Sequence, residues 1–219
     1  MPVQLYHHKL SAPARVVRIV AKQIGLSLEE KEIDLLSGEH MKPEFLAINP
    51  FHCVPTLVHD GFALWESRPI CTYLVDKFAH GHSLYPTDLR KRATIDRWLY
   101  WDSGTFFSSL KAYYMPAIPG KSFQPEAAEL FKKNASALDE SLKNTKYVAG
   151  DKLSVADISI TVTVTLSTAI GIDTSELKNV QKWLKQVETD LKPSTWQTLV
   201  IDPANGLADL LKSMASKSS

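Results

Sequence analysis

The chain has 219 residues, 44% apolar and 22% charged, and its 25 Lys and Arg against 24 Asp and Glu leave a formal net charge of +1. That composition excludes a disordered or fibrous chain. Cations spread along the sequence, with no massed basic segment, speak against nucleic acid as a partner, and the length allows one large domain or two small ones sharing an interface.

Val3 to Tyr6 reads as a first strand, followed by apolar residues at helical spacing through Val16, Ile19, Val20 and Ile24, closed at Gly25. Leu28 to Ile33 is a second strand close behind, the spacing of a β-α-β unit. Met41 to Ile48 predicts a short helix. Thr56-Leu57-Val58 and Phe62-Ala63-Leu64 flank His59-Asp60-Gly61, a hairpin signal, and Glu66 to Phe78 predicts the closing helix. This β-α-β-α-β-β-α order is thioredoxin-like. Ala79 to Pro86 has no apolar period and reads as a linker; from Asp88 onward the period is helical, broken near Pro116 to Pro125, Asn144 to Asp151, Gly171 to Thr174 and at Pro193. The fold class is therefore α/β plus all-α, with residues 1–78 thioredoxin-like, 79–87 a linker and 88–219 all-helical. The Ser/Lys-rich tail from Ser213 to Ser219 is expected to fray.

Cys53 and Cys71 are too few for a disulfide scaffold and lack the spacing of a zinc or redox pair, which fits a reducing compartment. The N-terminus has no basic start leading into an apolar run, and no stretch of about 18 apolar residues occurs, so the chain is expected to be neither secreted nor membrane-spanning.

Three short segments carry candidate chemistry. In Ser11-Ala12-Pro13-Ala14-Arg15, Pro13 suits a first helical turn and puts Ser11 just before a helix N-terminus, where free amides and the helix dipole favour an anion. From these five residues alone, Ser11 reads first as a plain cap. In Asn49 to Leu57, Pro55 enters a strand, marking an edge, a bulge or a cis peptide; the Val54 backbone could pair with an extended peptide, or the segment is only a rigid turn. In Trp65-Glu66-Ser67-Arg68, a carboxylate, a hydroxyl and free amides at one helix start could cap that helix or bind a ligand carrying both ammonium and carboxylate.

Taken together, their order and spacing resemble the cytosolic glutathione transferases, closest to the arthropod delta class within the delta and epsilon group. Ser11-Ala12-Pro13 is similar to the catalytic serine motif of that class. Gly38 to Phe45, Asn49-Pro50, His52 and Val54 to Leu57 resemble its glutathione segment, continued by Gly61 to Arg68. Tyr147 to Asp157 resembles the family's helix cap, with Ser154 and Asp157 as the reciprocal pair. The resemblance implies that Ser11 donates a hydrogen bond to the glutathione sulfur and lowers its pKa. A drop of about two units is roughly 2.7 kcal/mol, more than one hydrogen bond supplies, so the helix start must add to it.

The same resemblance implies backbone pairing of the cysteinyl unit by Val54 before a cis Pro55 beside Cys53. It places His52 and His40 near the glycyl carboxylate, Glu66, Ser67 and Arg68 at the γ-glutamyl end, and Leu35 on the wall. Tyr100, Ser103, Phe107, Leu110 and Tyr114 fall on one helical face, a pattern that usually means core. The family implies a substrate wall there, with Phe107, Leu110, Tyr114 and Met115 as contacts for hydrophobic electrophiles. Met115 stands where an aromatic is common, Leu10 where glycine is typical, and Phe51 and Cys53 flank His52 where glutamine and threonine are usual. These departures bear on substrate range.

No H-E-x-x-H, P-loop or G-x-G-x-x-G occurs, and His7-His8 at a strand end point to opposite faces, so neither metal nor nucleotide is implied. The reading is a cytoplasmic homodimer using glutathione as co-substrate, with no membrane partner, conjugation as its reaction in detoxification, and hydroperoxide reduction as a side activity. A non-catalytic carrier of apolar ligands is the main alternative. A thiol oxidoreductase would want cysteine at Ser11, and the retained ligand-site residues argue against a scaffold domain.

Overall fold

The computed structural model describes residues 2–118 and 121–216. Strands β1 (Gln4–His7), β2 (Glu29–Glu32), β3 (Thr56–His59) and β4 (Phe62–Trp65) form one sheet in the order β2-β1-β3-β4. β2 runs parallel to β1; β3 and β4 are antiparallel to their neighbours, with Tyr6 opposite Thr56 and Thr56 opposite Trp65. Alternation places Leu5 and Leu57 in the core. β2 reads Glu-Glu-Lys-Glu and lies at the edge, where charge discourages further strand addition.

Helices α1 (Ala12–Gln23) and α3 (Ser67–Phe78) pack against each other, burying Val16, Val17, Ile19 and Val20 with Ile70, Cys71 and Leu74. The helix expected over Met41 to Ile48 is instead a 3₁₀ turn, Glu39–Met41, followed by the single-turn α2 (Pro43–Leu46). Pro43 lacks an N–H to continue an earlier helix and suits only the start of a new one.

The helical half comprises α4 (Leu89–Trp101), a π turn (Asp102–Phe106), α5 (Phe107–Tyr114), a 3₁₀ turn (Met115–Ala117), α6 (Pro125–Ser141), α7 (Val155–Ala169), α8 (Lys178–Leu191), α9 (Pro193–Thr195), a second π turn (Trp196–Ile201) and α10 (Asp202–Ser216). α7 is buried along nearly its whole length and touches α1, α4, α5, α8 and α10, which explains why its sequence has no polar face. Some of its hydroxyls bond backward to its own carbonyls, Thr165 Oγ1 to Thr161 at 2.8 Å and Ser167 Oγ to Val164 at 2.7 Å. Ser154 and Asp157 form the expected capping box, and the same carboxylate accepts from Val148 N and Trp183 Nε1, both at 2.9 Å.

The segment read as a linker contributes two residues to the core. Leu84 and Tyr85 are buried, the Leu84 carbonyl accepts from Val155 N at 3.0 Å, and Tyr85 donates to Asp96 at 2.9 Å beneath the Arg92 guanidinium. Periodicity cannot reveal two buried residues in a segment this short. Within the tail expected to fray, α10 continues through Ser213 to Ser216, and residues 217–219 lie outside the described residues. No helix among the described residues is long and apolar enough to cross a membrane.

Candidate active site

Ser11 is the N-cap of α1, half-buried, with extended backbone (φ −67°, ψ 113°). Its Oγ accepts from Ala14 N at 3.3 Å, and its own N–H donates to the His8 carbonyl at 2.9 Å. Since the cap uses Oγ as an acceptor, the hydroxyl hydrogen is left to donate away from the helix. No acidic residue occupies the first turn, so nothing there neutralises the positive end of the dipole. The preceding turn is shaped by His8, whose Nδ1 accepts from Leu10 N at 3.3 Å.

The Val54-Pro55 peptide is cis. Its loop is fastened by Asn49, fully buried, whose Nδ2 donates to the Thr56 hydroxyl at 2.9 Å and to the Cys53 carbonyl at 3.2 Å while Oδ1 accepts from Phe51 N at 2.9 Å. Thr56 Oγ1 donates to the same Cys53 carbonyl at 2.8 Å. These bonds leave Val54 half-buried at the end of β3, beside the strand that leads to Ser11. The sequence reading quoted Asn49 and Thr56 only as motif letters; a side chain that can donate twice and accept once, just before a proline turn, is the signal for such a staple.

His40 and His52 face each other with ring centroids 6.2 Å apart, and His40 Nδ1 is buried without a partner among the described residues. His52 has a positive φ of 46°, which presents its exposed side chain from a turn held by His52 N donating to the Asn49 carbonyl at 3.0 Å. Leu35 is half-buried in a loop pinned by the Asp34 carboxylate, which accepts from Leu36 N and Ser37 N.

Glu66 precedes α3 with φ 69° and ψ 111°, a conformation costly for a residue with a Cβ and a mark of functional sites. Ser67 is buried, and its Oγ accepts from Arg68 Nη1 at 2.9 Å. Arg68 Nη2 meets Asp102 Oδ2 at 2.5 Å, and Asp102, fully buried, also accepts from Ser159 at 2.6 Å and Thr163 at 2.9 Å. The first turn of α3 is thus tied to α7. Sequence reasoning missed Asp102, Ser159 and Thr163, although hydroxyls at i, i+4 on an otherwise apolar helix are a legible sign of a buried acceptor opposite.

The stripe read as a substrate wall crosses the π turn at Asp102–Phe106; along it Tyr100 is 78% exposed, Leu110 0% and Tyr114 6%. Phe107 lies 5.4 Å beneath the Arg68 guanidinium with 6% exposure, and Met115 is 41% exposed. Of the four residues expected to touch an electrophile, Met115 alone offers substantial surface; Leu110 and Tyr114 are core.

The glutathione S-transferase N-terminal domain family model matches residues 1–76, and the C-terminal domain model matches residues 108–190. The chain belongs to the glutathione transferase family and is a transferase. Among solved structures it resembles a Bombyx mori glutathione transferase at 37% identity, covering 96% of this chain and 98% of that one with a TM-score of 0.92. A Nilaparvata lugens delta-class glutathione transferase is 36% identical over 97% and 100% of the two chains, with a TM-score of 0.92. An epsilon-class enzyme from the housefly, Musca domestica, is 34% identical over 97% and 98%, with a TM-score of 0.88.

Proposed function

We propose that this transferase conjugates reduced glutathione to hydrophobic electrophiles, with Ser11 donating a hydrogen bond to the sulfur. The observation that carries the reading is the Ser11 cap: its oxygen is engaged by Ala14 N, its hydrogen is free to donate, and the first turn holds no acid. A thiolate there gains both the hydroxyl and the dipole, and the thiol proton leaves to solvent. The sulfur pair then forms the C–S bond while a leaving group departs with its bonding pair, or it adds to one carbon of an activated double bond while the displaced π pair takes a proton from solvent.

In this reading Val54 pairs the cysteinyl backbone, Cys53 and Pro55 shape its turn, and Leu35 lines the wall. His40 and His52 face the glycyl carboxylate, and Glu66, Ser67 and Arg68 take the γ-glutamyl end. Phe107 and Met115 border the electrophile. The glutathione domain spans residues 1–78 and the helical domain 88–219, joined through 79–87. A cytoplasmic homodimer acting on lipophilic toxicants, with hydroperoxide reduction as a minor activity, completes the proposal.

Conjugation to chlorodinitrobenzene, measured for the native protein and Ser11→Ala with the pH dependence of thiolate absorbance in each glutathione complex, tests it. The expected result is a higher bound-thiol pKa and a lower rate in the variant. Tight glutathione binding with equal inactivity of both proteins across several electrophiles would instead favour the apolar-ligand carrier.

A further inference from the structure

Arg15 lies one turn into α1, its N–H donating to the Ser11 carbonyl at 3.0 Å. Its side chain is 0% exposed, among the largest fully buried side chains of the protein. Nη1 donates to the Val200 carbonyl at 2.9 Å, while Nε and Nη2 have no hydrogen-bond partner among the described residues, and no carboxylate is paired with the guanidinium there. An unpaired buried cation is among the costliest features a fold can carry, since its desolvation is offset by one carbonyl instead of an anion.

Neighbouring charges do not supply that anion. The Tyr114 phenol, the titratable group that interacts with the guanidinium, is pushed up to about 12 by burial and stays neutral. Asp102 on the π turn is turned to Arg68, Asp157 of α7 is taken up in its helix cap, and Arg18 on α1 faces Glu30 at 2.8 Å. Helical side chains lean toward the N-terminus of their helix, so Arg15 sits over the turn that begins at Ser11. The C-terminal segment closes over the same turn: Val200 belongs to the second π turn, and Gly206 of α10 lies so near Leu10 that a Cβ there would meet Leu10 Cδ2 at 3.0 Å. The cation is therefore screened from solvent, and its field is felt further than a surface charge's would be.

We propose that Arg15 is a positioning residue for the reaction, a buried cation held by the Val200 carbonyl that raises the potential at the Ser11 turn and so favours glutathione as thiolate. This rests on the reading that the sulfur sits at Ser11. The anion missing from the Arg15 environment is then supplied by the bound substrate.

The test compares bound-thiol pKa, from thiolate absorbance of the glutathione complex, in the native protein and in Arg15→Gln, Arg15→Lys, Arg15→Met and Ser11→Ala. Gln keeps an N–H for the Val200 carbonyl but removes the charge; Lys keeps the charge. Met removes both and relieves the burial of a charge, so it preserves a folded protein if Gln does not. The expected result is a rise of about one pKa unit in Gln and Met, a near-native value in Lys, and a roughly tenfold lower rate for Gln at low pH that recovers at high pH. Native pKa in Gln or Met, with a raised value in Ser11→Ala, overturns the role of Arg15 and leaves Ser11 standing. Native pKa in all four variants overturns both.

Discussion

The Arg68 guanidinium and the Asp102 carboxylate, 34 positions apart, meet at 2.5 Å and join the start of α3 to the π turn between α4 and α5. Asp102 accepts at the same time from Ser159 and Thr163. Asp102→Ala strands a buried guanidinium and two hydroxyls, so a loss of about 3–5 kcal/mol is expected, read as a lower midpoint in chemical denaturation. Because Arg68 also braces Ser67, the KM for glutathione should rise in the same variant, and Asp102→Asn should fall between it and the native protein.

Asn49 holds the loop before Pro55 from one buried side chain. Asn49→Ala takes the acceptor from Phe51 N, at about 1–3 kcal/mol if that group stays dry, while the Cys53 carbonyl keeps its bond from Thr56 Oγ1. The expected kinetic signature is a raised KM for glutathione with the electrophile KM unchanged. Unaltered steady-state constants would show that the loop is held without it.

Leu110 and Met115 should separate stability from substrate range. Leu110 is fully buried, so Leu110→Ala should cost about 2–5 kcal/mol and leave the electrophile preference intact in whatever fraction folds. Met115→Ala, at an exposed position, should change stability by less than about 1 kcal/mol yet shift the KM for bulky electrophiles. Denaturation curves and a panel of electrophiles of increasing size measure the two effects separately.

Burial lowers the pKa of His7 below its ordinary 6.5, opposed by Glu30, whose Oε2 lies 3.4 Å from Nε2. The unfolded chain therefore takes up a proton at this site before the folded protein does as the pH falls. Stability is complete above 6.5 and declines below it, until the pH reaches the lowered folded value, by at most about 1.4 kcal/mol per pH unit. His7→Gln should flatten that part of the stability profile just below pH 6.5, measured as the difference in unfolding free energy from the native protein.

Much of this was legible in the residues themselves. The strands β1, β3 and β4, the helices α1 and α3 and the Ser154-Asp157 box follow from alternation, helical period and cap chemistry, all set by near neighbours in the chain. Ser11 could be placed before α1 for the same reason: Pro13 and the apolar period fix where the helix begins.

What local pattern could not reach were relationships closed by distant segments. The linker's Leu84 and Tyr85 are core because α7 and α4 lie against them. The residues of the expected substrate stripe lie on both sides of a π turn that begins at Asp102, the residue bonded to Arg68 and α7, and such a turn changes the helical phase that spacing assumes. The sequence by itself determined the strands and main helices of the first half, their order and the position of Ser11 at a helix start, since these depend on backbone and side-chain preferences within a few residues. Only the tertiary structure decided the surroundings of that start, including the buried Arg15 and the braced Arg68, because burial and pairing are properties of surfaces brought together from 34 to 185 positions away.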